Sequence, residues 1–295
     1  RDEAVDGIIA LGGGSVIDEA KSVAAGYYLN DLWAAFTCAE PITRALPLFT
    51  VLTLSGTGSE MNINAVLTNE AEKKKWAIYS TLVAPRFSII DPTVQSTLPW
   101  HQTVNGAIDA MAHTMEFYSV GRDEEMTLAM DESIFQTVIL SLDRLQTDPQ
   151  DYKARASIAW ASTLALNGIS GAGLNGGEWA CHRIEHGISA IHPEVAHGAG
   201  LAVVIPAWIS VVSGTNPRLF ERWARKVWQS DTISEAIEKM KAKQKSWGAP
   251  ITLRELGIGE HEIPAIAENA LMVGQIGVLQ QFSKDDIIDL LKKAL

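Results

Sequence analysis

GIIALGGGSVIDEAKSVAAGYY, residues 7–28, decides the fold class. It opens on a short unbroken apolar run, turns at Gly12-Gly13-Gly14-Ser15, and continues with apolar residues at helical spacing. Strand, tight glycine turn and helix make half of a β-α-β unit, the element of a parallel sheet covered by helices. Glycines let a backbone come close to a phosphate, and the helix start offers free N–H groups and the positive end of its dipole. Gly13, Gly14 and Ser15 are therefore candidates for holding a pyrophosphate. The same residues also suit a plain connection in which Ser15 caps the helix. The spacing is not G-x-G-x-x-G, so the ordinary dinucleotide fingerprint is not met. Asp18 is expected in the first helical turn, where a carboxylate is favoured with or without a ligand.

Working outward, PLFTVLTL (47–54) reads as a second buried strand, followed by the small-residue turn SGTGSE (55–60). Two such turns at the carboxyl ends of strands in one sheet favour a nucleotide site. Ala65–Thr68, Trp76–Tyr79 and Phe87–Ile90 read as further short strands. After Leu98-Pro99 the texture changes to almost continuous helical pattern, with Gly and Pro only at joints. The expected fold is an α/β dinucleotide-binding domain over 1–98 followed by an all-α domain over 99–295.

Composition narrows the function. The 295 residues are 47% hydrophobic with a formal net charge of −11, which excludes disorder and argues against nucleic acid or an anionic membrane as partner. No apolar run of membrane-spanning length stands out, and no signal peptide opens the chain. Cys38 and Cys181 cannot form a disulfide framework, so a reducing cytoplasm is the expected setting.

The chemistry concentrates in two helical stretches. In NGAIDAMAHTMEFY, Asp109 and His113 are four apart and project from one helix face, where both can hold one cation. His182 and His186 repeat the spacing in EWACHRIEHGIS, and His197 follows at the expected start of the next helix. An isolated Asp/His pair at this spacing is usually a hydrogen-bonded or solvated pair. A second histidine-rich helix of apolar character shifts the balance towards a metal site. One carboxylate with imidazoles suits Fe2+ or Zn2+. His101, at a helix start, and His261, in a charged loop, read as solvated.

GGGSVIDEAKS, TLSGTGSEMN, IDPTVQSTLP, NGAIDAMAHTMEFY and HRIEHGISAIHPEVAHGAGLAVVIP, in that order, resemble the iron-containing (group III) alcohol dehydrogenases. GSEMNINAVLTN and HRIEHGISA are most similar to the butanol-dehydrogenase branch. The resemblance runs the length of the chain. It implies a Rossmann-like domain and a helical domain with metal and nicotinamide in the cleft between them. It implies Asp109, His113, His182 and His197 as metal ligands, and His186 as a catalytic histidine near nicotinamide and substrate. It further implies Gly13, Gly14, Ser15 and Asp18 in the first turn, Thr53, Thr57 and Asn62 in the second, and Lys75, as cofactor contacts. The implied reaction is hydride transfer between NAD or NADP and a small primary alcohol or aldehyde of the butanol type, the metal (Fe2+ or Zn2+) acting as Lewis acid on the substrate oxygen. A homodimer is implied by the family alone.

Two departures from the family pattern stand out. The step from His186 to His197 is one residue longer than usual, which leaves His192 as a fallback ligand. The strand–helix units that precede the GGGS strand in the family, and hold the adenosine, are missing, so the expectation is a sequence that begins inside a longer protein. Glu60 and Glu185 are candidate partners of the site, though a helix-start carboxylate and a surface charge account for them equally. Trp160, Trp179 and Met115 could line a substrate pocket or simply pack in the core. Alternatives on the same scaffold are a dehydroquinate-synthase-like lyase and a glycerol-dehydrogenase-like enzyme. A lyase of that kind needs several cations around an acidic substrate, and near the His motifs Arg183 is the main one. A truncated, non-catalytic metal-binding copy is the reading outside enzymology.

Overall fold

The computed structural model describes residues 4–295. β1 (Ile8–Gly12) runs into α1 (Gly14–Gly26), and a short α2 (Leu32–Phe36) leads to β2 (Leu48–Leu52). β3 (Asn64–Asn69) and β4 (Lys74–Tyr79) form an antiparallel hairpin, and β5 (Phe87–Ile89) returns to the first sheet. That sheet is parallel, in the order β1-β2-β5, with Ile9 opposite Phe49 and Phe49 opposite Phe87. The rest is helical: α3 (Trp100–Tyr118), α4 (Glu125–Thr147), α5 (Tyr152–Leu166), α6 (Ala180–Ile191), α7 (His197–Val212), α8 (Pro217–Trp228), α9 (Ile233–Ser246), α10 (Ile263–Ala270) and α11 (Lys284–Lys292). The expected strands all form, within a residue or two of their expected limits.

Helix ends follow local chemistry. Asp31, Asp151 and Thr232 each accept a backbone N–H as N-caps of α2, α5 and α9, and Ser283 with Asp286 makes a capping box for α11. The first turn differs from expectation. Gly13, not Ser15, is the N-cap of α1, and it makes no side-chain cap bond; Ser15 lies inside the helix, exposed. With the helix beginning at Gly14, Asp18 falls in the second turn, buried, not in the first.

Ile17 and Ala20 of α1 cover Ala10, Leu48 and Leu52 on one face of the parallel sheet. The opposite face is bare: Ile9 is 75% exposed, Leu11 66% and Phe87 64%. The main core lies among the helices, around Trp208, Trp223, Trp247 and Tyr118. Full burial of an aliphatic or aromatic side chain contributes about 1.5–3 kcal/mol, so this half holds most of the apolar stabilisation. Two expectations are corrected there. The 19-residue stretch His197–Thr215 is long and apolar enough to cross a membrane, yet two-thirds of it (67%) is buried as core. Trp160 is 53% exposed on α5, against α4 and outside both the core and the cleft between the two halves, while Met115 is core.

Candidate metal and dinucleotide site

A cleft of about 770 Å³ lies between the glycine-turn elements and the helices, bordered by Ser15, Asp18, Thr57, Asn62 and Lys75 on one side and Asp109, His113, Trp179, His182, His186 and His197 on the other. The two small-residue turns meet behind it. A Cβ on Gly14 would stand 2.3 Å from Thr57 Oγ1, so glycine is required for their approach. Gly13 and Gly14 form the turn beneath Ser15, and Thr53 does not border the cleft; its N–H donates to Gly12 O.

Asp109 is buried in the middle of α3, one helical turn before His113. Its Oδ1 lies 3.6 Å from His182 Nε2, 3.5 Å from His197 Nε2 and 3.7 Å from His113 Nδ1. Asp109, His182 and His197 offer ligand atoms all within 4.8 Å of one another. The His113 ring stacks on His182 at 4.5 Å between centroids. Asp109 Oδ1, His113 Nδ1 and His182 Nε2 are buried without hydrogen-bond partners. Buried polar atoms are normally paired, and three orphans facing one point are what a cation would satisfy. The donor set, one carboxylate oxygen and imidazole nitrogens, fits Fe2+ or Zn2+.

A second ring of carboxylates turns these rings towards that point. His182 Nδ1 lies 3.3 Å from Glu116 Oε1, and the Nδ1 of His197 contacts Glu185. With Nδ1 of each ring facing a carboxylate, Nε2 is directed at Asp109, as outer partners arrange in metal sites. Glu185 also accepts from Ser189 Oγ at 2.8 Å and from Lys75 Nζ at 3.4 Å, and Lys75 donates to Ser189 Oγ at 2.8 Å. Both Glu60 and Glu185 are buried, not surface or solvated groups, and Glu60 accepts from Thr163 on α5.

Electrostatics follow the packing. Burial is the largest influence on Asp109 and pushes its carboxyl up, but His113, with His182 and His197, holds it well below the usual range. Burial and the neighbouring rings push His113 down to about 3 despite Asp109. For His182 burial acts downward, yet Glu116 and Asp109 raise it to about 9. Burial, then Lys75 and the adjacent rings, drive His186 well below its ordinary value, so its ring is neutral.

The dinucleotide wall is also a buried polar network. Lys21 is fully buried and donates to Asn62 Oδ1 at 2.8 Å, Asn62 O at 3.0 Å and Asn64 O at 2.7 Å. Asn62 Nδ2 donates to Thr57 O at 3.1 Å. Asp18 accepts from Ser59 Oγ and, at 3.0 Å, from Val66 N. Burial raises the Asp18 carboxyl to about 6 against Lys21, and lowers Lys21 to about 8.

All four sequence-predicted ligands thus converge, and His186 borders the same cleft. His192 does not join them; it pairs with Glu194 at 3.2 Å and Glu262 at 3.0 Å. Sequence reasoning missed Glu116, Lys21 and Ser189. Glu116 was detectable, since Asp109, His113 and Glu116 continue one i, i+4, i+7 face.

The model of the iron-containing alcohol dehydrogenase family matches residues 1–92, and that of the C-terminal part of the Fe-containing alcohol dehydrogenase family matches residues 103–295. The probable NADH-dependent butanol dehydrogenase 1 of Bacillus subtilis is 36% identical over the whole chain and 78% of its own length. The NADPH-dependent aldehyde reductase of Escherichia coli is 35% identical over 90% of the chain and 71% of its own. The crystal structure of NADH-dependent butanol dehydrogenase A from Thermotoga maritima superposes with a TM-score of 0.97 at 43% identity, covering all of this chain and 77% of that one. The chain belongs to the iron-containing alcohol dehydrogenase family, in its butanol-dehydrogenase-like branch.

Proposed function

We propose that this chain is a metal- and NAD(P)-dependent oxidoreductase that interconverts a small primary alcohol and its aldehyde, of the butanol/butyraldehyde type. The supporting observation is the buried, unpartnered Asp109 Oδ1 within 3.5–3.7 Å of three imidazole nitrogens on a cleft bordered by two phosphate-suited turns. In this reading Asp109, His113, His182 and His197 hold the metal, residues 1–98 bind the dinucleotide and 99–295 carry metal and substrate. When bound, the metal supplies a Lewis acid for the substrate oxygen, and the nicotinamide supplies or accepts the hydride.

The chain's own residues do the rest. Glu116 and Glu185 fix the rings of His182 and His197. Ser15 and Thr57 border the cofactor side of the cleft, while the Asp18, Lys21 and Asn62 network holds the second turn against α1. Trp179 lies on the metal side of the cleft, its ring edge-on to His182 at 5.5 Å. His186, neutral and beside His197, passes the hydroxyl proton towards solvent by accepting it at one ring nitrogen while releasing the proton on the other, so that the ring is not left charged. Among the described residues, Lys75 and Arg183 are the only Lys or Arg side chains on the cleft, too few for a phosphorylated polyacid and so against the lyase reading. Two free cysteines fit a reducing cytoplasm.

The test is oxidation of NADH and NADPH with butyraldehyde, alongside metal analysis, for wild type and H182A. Wild-type turnover is expected, lost with the metal in H182A. Full metal and activity in H182A would sink the ligand assignment, and metal without nicotinamide affinity in the wild type would favour a binding-only copy.

A further inference from the structure

One cation on the cleft wall has no use in the scheme above. Arg183 follows His182 and precedes His186 by three residues on α6, and it borders the same cleft. It is half-buried, and its side chain makes no hydrogen bond or ion pair with any described residue. The other cation there, Lys75, is committed to Ser189 and Glu185. Glu19 and Glu70 border the cleft too, but neither pairs with Arg183. The guanidinium is close enough to His186 to disfavour that ring's protonation. In a chain of net charge −11, acids are plentiful, so an arginine left unpaired in a cleft is an exception. A half-desolvated guanidinium is costly to leave unmatched, and its planar fork suits carboxylate or phosphate oxygens in two parallel bonds.

We infer that Arg183 reads an anionic oxygen group on the bound ligand, and that the substrates this cleft prefers are aldehydes and alcohols bearing a terminal carboxylate. The inference rests on the function proposed above and refines its substrate class. The ligand carries its carbonyl to the Asp109–His182–His197 end, and its far end meets Arg183 on the same helix that supplies His182. A phosphate of the dinucleotide offers the same chemistry from another source, and the experiment separates the two.

Butyraldehyde and succinate semialdehyde have the same four-carbon length and differ at the end remote from the aldehyde, methyl against carboxylate. The KM values of both, and of NADH and NADPH, are measured for wild type, R183M and R183K, with metal content checked for each; R183Q replaces R183M if that variant precipitates. The expected result is a rise of tenfold or more in the KM ratio of succinate semialdehyde to butyraldehyde in R183M, with partial recovery in R183K. A tenfold rise in the KM of NADH or NADPH, with the aldehyde ratio unmoved, would assign the anion to the cofactor and overturn the substrate preference. An aldehyde ratio and cofactor KM values all within twofold of wild type overturn the inference altogether. Wild type that turns over neither aldehyde overturns the proposed function itself, whereas active wild type with flat ratios overturns only the role of Arg183.

Discussion

Lys21 ties α1 to Asn62 and Asn64, just beyond the second turn, by its three donors, and its side chain is fully buried. Removing it leaves Asn62 Oδ1, Asn62 O and Asn64 O with lost partners in a buried setting, and breaking such a network costs about 3–5 kcal/mol. K21M is expected to lower the melting temperature and to raise the KM for NADH at least tenfold while metal content holds; calorimetry and steady-state kinetics check both. Glu116 acts on the other side. E116Q keeps the shape but removes the charge beside His182 Nδ1, and loss of such an outer partner lowers metal affinity by about 10–100-fold. Competition with a chelator measures it; unchanged affinity would leave Glu116 as a packing residue. Glu116 was detectable on the i, i+4, i+7 face it shares with Asp109 and His113, whereas the role of Lys21 was not legible in the sequence. Asp109 and His113 stand out once their spacing is set beside the histidine-rich stretch at 182–197, but Lys21 on an amphipathic helix looks like any solvated lysine until β3 is laid across it.

At the scale of elements, the site depends on how closely α3 lies against the turn after β2. A Cβ on Gly106 would stand 2.0 Å from Ser55 O, a backbone atom that cannot step aside. G106A is therefore expected to push α3 outward one turn before Asp109, costing about 1–3 kcal/mol as overpacking and reducing metal content in the purified protein. A variant with wild-type stability and full metal would show that the crossing has slack. The strand–turn–helix opening and the helical half could be read from apolar periodicity, and the strands landed within two residues of expectation. The start of α1 could not, because Gly13 caps it without a side chain, and that placed Asp18 a turn deeper than spacing suggested. Similarly, α7 is apolar all round because it is surrounded by helices, a fact its own sequence shares with a membrane span.

For the whole molecule, buried charge outside the cleft sets the response to pH. Asp131 on α4 is fully buried with neither carboxyl oxygen hydrogen-bonded, and burial, with Glu132 beside it, raises it to about 8 in spite of Ser170. The folded chain keeps that proton up to about pH 8, whereas an unfolded aspartate releases it near 3.8. Between those values the folded state binds more protons, so stability falls as pH rises through the window and levels off above it. D131N removes this contribution. Its melting temperature relative to wild type is expected to improve between pH 5 and pH 8, by roughly 2 °C or more. A constant gap across that range would mean that Asp131 ionises normally.

Taken alone, these 295 residues set two opposed colloidal terms against each other through the exposed face of the parallel sheet. Ile9, Phe49 and Phe87 form one cross-strand row, and Leu11, Val51 and Ile89 the next. Six apolar side chains in two rows are adhesive at short range, while a charge of −11 repels at long range. Salt shortens the repulsion from about 10 Å at 0.1 M to about 3 Å at 1 M and leaves the adhesion untouched. The second virial coefficient from light scattering should therefore pass from positive to negative as salt is added, the reverse of a protein held together by ion pairs. The I9K variant, which changes the most exposed apolar side chain of that face on the edge strand β1, should move that crossover to higher salt; an unmoved crossover would assign the attraction to another surface.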